Sequence, residues 1–304
     1  MRTTLFYLIL TNILGGSSYA ATGYALRGLS AVELVFWRTL LGCLAFIPFF
    51  VRALKRLHLR PAEWFRVAAV AFLGYAAPLL IGTLGQETAT ATNAALLIGM
   101  EPVSIVILSA IFLGEALTLM KVVAVASGLS GAGLIVLQGM SPRDLSWTSD
   151  LQGNLLLFLH GFFWSLYSVI GKPLLRKIDP MSFTALTTVL SLIPITGAAL
   201  PELARRGIFQ PSGTLVAAVL FLGLGVTFYA TFAWNKALEL APASQLAQFI
   251  FIQPLVGVVL GVCLLRDRFT LWSGIGGVMI LWGVYASMRE SPATAPNPTQ
   301  PSVL

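Results

Sequence analysis

The sequence predicts an all-α integral membrane protein, with ten transmembrane helices arranged as two inverted five-helix repeats around a central cavity. Three observations carry that prediction. Of 304 residues, 57% are hydrophobic and 10% are charged, whereas a soluble domain carries about 25% charged residues. So few charges cannot cover a water-facing surface, and lipid must be the solvent for most of the chain. Apolar stretches near the length that crosses the hydrocarbon core, about 20 residues, recur ten times. The two halves also echo each other at a near-constant offset.

In order, the stretches are 5–26, 32–51, 65–86, 89–113 and 119–138, then 153–174, 181–200, 213–235, 243–265 and 270–288. A closed β-barrel is the other way to span a bilayer, but its strands alternate in polarity over roughly ten residues, and that pattern is absent. The first stretch begins like a signal peptide, with Arg2 ahead of Leu5. It continues through Gly15, Gly16 and Tyr19 to Leu26, and so reads as a retained helix. After the second stretch comes a dense basic cluster of Arg52, Lys55, Arg56, Arg60 and Arg66. With the N-terminus inside, this cluster joins Arg2, Lys121, Lys172, Arg176, Lys177, Lys236 and Arg289. Twelve of the 19 lysines and arginines then face inward, and the other seven, Arg27, Arg38, Arg143, Arg205, Arg206, Arg266 and Arg268, face outward. The expectation is a multi-pass protein of the bacterial inner membrane with both termini cytoplasmic. The net charge of +7 is thus spread over short links, and nucleic acid is not an expected partner. Residues 290–304, rich in proline and small polar residues, are expected to form a disordered cytoplasmic tail.

The repeat rests on particular residues. Glu101-Pro102 precedes Gln253-Pro254 by 152 positions, as Glu115 precedes Asp267, Thr118 precedes Thr270 and Gly131 precedes Gly283. Nearer the start of each half the offset is 148, linking Ser17, Tyr19 and Gly23 to Ser165, Tyr167 and Gly171. These echoes divide the chain into a first repeat at 1–140 and a second at 150–289. Five helices is an odd number, so the second repeat enters the membrane from the opposite side. Repeats of that kind frame a midplane cavity and support alternating access.

The run from Pro102 through Val-Ser-Ile-Val-Ile-Leu-Ser-Ala-Ile-Phe-Leu-Gly-Glu-Ala-Leu to Thr118 resembles the fourth-helix signature of the EamA family, in the drug/metabolite transporter superfamily. Gly128 to Gly133 resembles its fifth helix, and Phe36-Trp37-Arg38 its second-helix pattern. The resemblance implies ten helices, cytoplasmic termini and export or exchange of a small metabolite. Bacterial members of that family that export aromatic and other neutral amino acids make an amino acid the expected cargo. Two departures stand out. Leu265-Arg266-Asp267-Arg268 replaces the usual Gly-Glu, and Gly15-Gly16-Ser17 replaces a frequent Trp-Gly.

Several side chains are candidates for binding cargo. Glu101, an ionisable group deep in an apolar stretch, could hold a substrate ammonium or carry a coupling proton. It could equally be a structural glutamate, protonated or paired with arginine. The repeat pairs Asn93 with Gln245 and Glu101 with Gln253, and Gln248 lies one turn past Gln245. These amides would line a cavity or bond helix to helix. Tyr75, Trp164, Tyr167 and Tyr229, with His160 one turn before Trp164, could wall a site for apolar or aromatic cargo. Ser17, paired with Ser165, completes the substrate-binding set. Trp234, beside Lys236, reads as part of an interfacial belt. Arg38 could bind a carboxylate or phosphate, but reads better as snorkelling to the outer headgroups. Gly15, Gly16, Pro78, Pro102 and Pro254 are candidate bending points for gating, with Gly82 and Gly85 beside them.

Cys43 and Cys263 have no metal-ligand spacing to each other or to His58 or His160, so neither metal nor cofactor is expected. No Walker loop and no His-Glu-x-x-His run occurs. The expectation is therefore a secondary transporter of a small molecule. Another cargo (a nucleotide-sugar, a cationic drug, a cofactor) is the alternative, and a membrane-embedded enzyme is a distant one. Oligomeric state leaves no signature in the sequence.

Overall fold

A computed structural model describes residues 2–113, 118–138, 148–206, 212–240 and 248–289. Among these residues it is all-helical, and ten helical segments form one bundle. They are α1 (Arg2–Ala25), α2 (Ala31–Arg56), α3 (Pro61–Thr88), α4 (Ala91–Leu97 with Met100–Leu113), α5 (Leu119–Leu137), α6 (Ser149–Gly171), α7 (Pro180–Arg206), α8 (Gly213–Leu240), α9 (Ile252–Leu265) and α10 (Leu271–Arg289). By length and composition, α2 to α8 are each apolar enough to cross a membrane, and Ile252–Leu265 and Leu271–Gly283 are shorter apolar helices. Large apolar side chains such as Phe65, Ile111, Phe112, Leu119, Leu271 and Val278 stand exposed on the outside. That is the surface a bilayer covers. The expected tail at 290–304 lies outside the described residues.

Most helices begin earlier or end later than the apolar stretches, because hydropathy detects only the hydrocarbon portion and capping chemistry sets the true end. Ser30 and Glu33 form a capping box at α2, Pro61 stands in the first turn of α3, and Thr148 accepts from the Leu151 amide at the start of α6.

The largest departure from the expected spans is α4. The stretch 89–113 reads as one helix, yet the structure breaks it at Ile98 and Gly99. Pro102 has no amide hydrogen, so in a continuous helix the Ile98 carbonyl would be left unbonded in lipid. The chain tightens instead, and the Glu101 amide donates to that carbonyl at 2.8 Å. The second piece restarts at Met100, which places Pro102 in a first turn that needs no donor. Gln253 and Pro254 repeat the arrangement: a 3₁₀ turn at Gln248–Phe251 gives way to helix at Ile252. In α3, Pro78 follows a π segment at Val70–Ala76, whose wider turn lets the Ala77 amide reach the Phe72 carbonyl. A second π segment occupies Phe221–Ala230 of α8.

Small residues let the helices pack closely. α5 crosses α10 where a β-carbon at Gly131 would fall 2.5 Å from the Gly276 carbonyl oxygen, and one at Gly283 would fall 2.6 Å from that of Ala124. Without a hydrophobic force between helices in lipid, such backbone approach is a main source of association. α2 packs on α7, α3 on α6, α1 on both α8 and α9, and α4 on α6 and α9. These contacts leave a space between the helices.

Candidate functional site

That space is a cavity of about 830 Å³, part of it open to the outside, bounded by α1, α2, α3, α4, α6, α8 and α9. One face of α1 supplies Thr11, Gly15, Ser18, Tyr19 and Thr22, at helical spacing. Arg38 comes from α2, while α3 gives Leu79, Gly82, Thr83 and Gln86. The break in α4 puts Ile98 and Glu101 on the wall. His160, Trp164 and Tyr167 follow one another along α6, Trp234 closes the side formed by α8, and Gln253 projects from the start of α9.

Glu101 is buried, 7% exposed, in the first turn of the second half of α4. An acidic group suits that position, since the helix dipole is positive there. Ser168 stands beside the carboxyl, and its Oγ accepts from Trp234 Nε1 at 3.4 Å. That bond joins α6 to α8 next to the Glu101 carboxyl of α4.

His160 is held by backbone. Its Nδ1 lies 2.7 Å from the Pro78 carbonyl oxygen. A carbonyl only accepts, so Nδ1 carries the hydrogen, and in a neutral ring Nε2 is left as an acceptor. Gly82 makes room for the ring: a β-carbon there would fall 2.2 Å from Nδ1. The imidazole meets Tyr19 and Trp164 edge to face, with centroids 6.5 and 6.1 Å away. Trp164 continues the aromatic wall onto Tyr167 at 5.9 Å. The Tyr167 hydroxyl accepts from Asn235 Nδ2 at 2.6 Å, and this pins the ring. At the far side, Gln253 Nε2 donates to Asn12 Oδ1 at 2.9 Å and bridges α9 to α1.

Of the residues expected from sequence, the structure brings Glu101, Gln253, His160, Trp164, Tyr167 and Gly15 to the cavity wall. Tyr75 lies one layer behind, fully buried against Trp164 and Tyr167. Asn93 is elsewhere: it donates to Asn154 Oδ1 and accepts from Ser273 Oγ, in a polar knot that ties α4 to α6 and α10. Ser17 points away from the cavity and bonds the Ile13 carbonyl of its own helix. Tyr229 is also outside the lining. Gln245, and the side chain of Gln248, lie outside the described residues. Among the bending candidates, Pro78, Pro102 and Pro254 sit at the helix irregularities described above, while Gly16 faces the Gln253 backbone.

Two readings are corrected. Arg38 does not snorkel. It is 6% exposed and lines the cavity, because α2 turns that face toward α8, where Arg38 Nε donates to Thr227 Oγ1 at 3.3 Å. Trp234 is likewise on the cavity wall, and its proximity to Lys236 along the chain says nothing about depth. Tyr19, Gln86 and the α1 hydroxyls were not among the expected site residues. The spacing of Thr11, Gly15, Ser18 and Thr22 is the signal that finds them, since all four fall on one helical face while Ser17 does not.

Comparison with known proteins gives concordant results. The EamA-like transporter family matches the chain twice, over residues 2–137 and 151–289. Two uncharacterized transporters of Archaeoglobus fulgidus are similar to it. One is 27% identical over 283 residues (93% of this chain, 98% of the relative) and the other 29% over 291 residues (94% and 98%). A protein of Streptantibioticus cattleyicolor described as a probable terminal-alkyne amino-acid exporter is 26% identical over 299 residues, covering 96% of this chain and 95% of its own. One crystal structure shares the fold, with a TM-score of 0.63 at 21% identity over 95% of this chain and 96% of that one.

Proposed function

This chain belongs to the EamA-like transporter family, and from that premise we propose that it is a secondary transporter exporting small amphipathic metabolites, neutral or aromatic amino acids foremost, across the bacterial inner membrane by alternating access. The observation that carries the reading is the cavity itself. A buried carboxyl group, an amide and an aromatic wall converge there from helices of both halves of the chain. Glu101 takes the polar head of the cargo or a coupling proton, Gln253 and the α1 hydroxyls orient it, and Trp164, Tyr167 and Trp234 hold an apolar side chain. The likeness to an exporter from Streptantibioticus cattleyicolor favours an amino acid over other cargo.

The mechanism proposed rests on two inverted repeats, residues 1–140 and 150–289. The family matches the chain twice. The second half of α4 starts at Met100 and α9 starts at Ile252, a separation of 152 residues. The same shift carries the Gly131–Gly276 contact onto the Gly283–Ala124 contact, as a two-fold relation between α5 and α10 requires. With both termini cytoplasmic, rocking one half against the other opens the cavity to each side in turn.

Uptake of radiolabelled phenylalanine, leucine, a cationic drug and a nucleotide-sugar into inside-out vesicles, with and without a proton gradient, tests this proposal. Uptake of an amino acid above vesicles lacking the protein is the expected result. Uptake of only the drug or the nucleotide-sugar would replace the cargo and leave the transporter reading standing.

A further inference from the structure

We propose that Arg38 is the carboxylate-binding pole of the cavity and that, opposite Glu101, it makes the site selective for a zwitterion. This rests on the transporter reading above and adds a recognition element to it.

Arg38 is deeply buried in the bundle interior, yet its environment is not that of a structural arginine. Buried charges are normally paired with an opposite charge or saturated with hydrogen bonds. A guanidinium offers five N–H donors in a planar fork. Here one of them, Nε, meets a neutral hydroxyl, Thr227 Oγ1, at 3.3 Å, longer than a charge-assisted bond. Among the described residues Arg38 forms no ion pair, so no described carboxylate neutralises it. The remaining donors belong to a side chain that borders the cavity.

The cavity lining contains one other residue of fixed charge type, Glu101, and the two do not pair with each other. Tyr19, also in the lining, is within electrostatic reach of both. A carboxyl and a guanidinium of opposite sign on one aromatic-lined cavity form the complement of an amino acid. Its α-carboxylate would take two parallel bonds from the fork of Arg38. Its α-ammonium would meet Glu101, beside Ser168, and its side chain would lie against Trp164 and Trp234. A simple cationic amine would leave Arg38 unanswered, and a simple organic acid would leave Glu101 so.

Ligand-induced thermal stabilisation of the purified full-length protein in detergent tests the proposal without requiring transport. The probes are phenylalanine, phenethylamine, which lacks the carboxylate, and 3-phenylpropionate, which lacks the ammonium. Phenylalanine is expected to stabilise the wild type at concentrations about tenfold or more below either analogue, the loss expected when a charged hydrogen-bonding group is left unpaired. Arg38→Gln should bring phenethylamine level with phenylalanine, and Arg38→Lys, which keeps charge but not the fork, should retain part of the preference. Equal stabilisation of the wild type by phenethylamine and phenylalanine would overturn the proposal even if both variants fail to fold, as would no stabilisation by phenylalanine. If phenylalanine is moved in vesicles but binds no better than phenethylamine, Arg38 is not the selective pole while the transporter reading stands. If phenylalanine binds selectively but none of the probes is moved, the transporter reading fails while this one holds.

Discussion

A carboxylate in a membrane interior is expensive. On insertion scales a charged residue at the centre of a spanning helix costs about 2.5–3.5 kcal/mol. Glu101 offsets part of that cost through the amino end of its half-helix and through Ser168. Glu101→Gln keeps the shape and an acceptor oxygen but removes the charge. Transport is expected to fall about tenfold or more while thermal stability in detergent stays near that of the wild type. A parallel loss of both would assign Glu101 to the framework. Gly82 is a second sensitive position. A methyl group there would meet the His160 ring at 2.2 Å, on a ring already held by the Pro78 carbonyl. Overpacking of this kind costs about 1–3 kcal/mol. Gly82→Ala should therefore lower the melting temperature and displace His160 from the wall, reducing transport further than the stability loss explains. Gly197→Ala, at a position with nothing within 4 Å of the added carbon, is the control.

At the level of elements, the irregular helices matter most. The π segment of α3, the break in α4 and the 3₁₀ turn before α9 each lie beside a proline, and Leu79, Ile98, Glu101 and Gln253, which adjoin them, line the cavity. Backbone freed from regular helix bonding is tolerated at membrane depth where it is enclosed by protein or lines a cavity. The ends of these pieces need partners from elsewhere. The α4 amino terminus finds one in Asp267, from the link between α9 and α10, whose Oδ2 accepts from the Thr92 amide at 2.8 Å. Asp267 stands where the second half departs from the family's Gly-Glu, and the acid there has a definite task. Asp267→Ala should cost about 1 kcal/mol, the usual loss of a helix cap, read as a lower melting temperature. Asp267→Asn should cost less, because an acceptor oxygen remains. No change in either would show that Thr90, which accepts from the Asn93 amide, caps α4 unaided.

For the whole molecule, the division of labour among helices is clear. α5, α7 and α10 contribute nothing to the cavity lining, and α5 and α10 lock against each other through glycine contacts. The other seven helices surround the cavity. The α5–α10 crossing joins the first half of the chain to the second through small residues. The topology makes the prediction at this scale. Twelve basic residues inward against seven outward are the ground for proposing that both ends lie in the cytoplasm. Reporter fusions at residue 1 and after residue 289 should both be active only as cytoplasmic reporters. An external signal from either end would overturn the even number of crossings or their direction.

The sequence alone determined the solvent, the helix class and most helix positions, because apolar length and capping residues are local properties of the chain. It also singled out Glu101, Gln253, His160, Trp164 and Tyr167, which line the cavity, because their polarity or bulk is conspicuous within apolar runs. It could not determine depth and facing. Arg38 read as a headgroup anchor and Trp234 as an interfacial residue, because each lies near a helix end in sequence. Ser17 read as a cavity residue through its pairing with Ser165, and Asn93, paired with Gln245, read as either a cavity residue or a bond between helices, of which the structure shows the second. Which way each side chain points depends on how α2 meets α8, how α1 is rotated and where α4 breaks. Those are set by contacts between residues far apart along the chain, such as Arg38 with Thr227 and Asn93 with Ser273. In lipid, where every helix is apolar on most of its surface, periodicity alone does not distinguish the face that meets a cavity from the face that meets another helix. The tertiary packing of small residues makes that distinction.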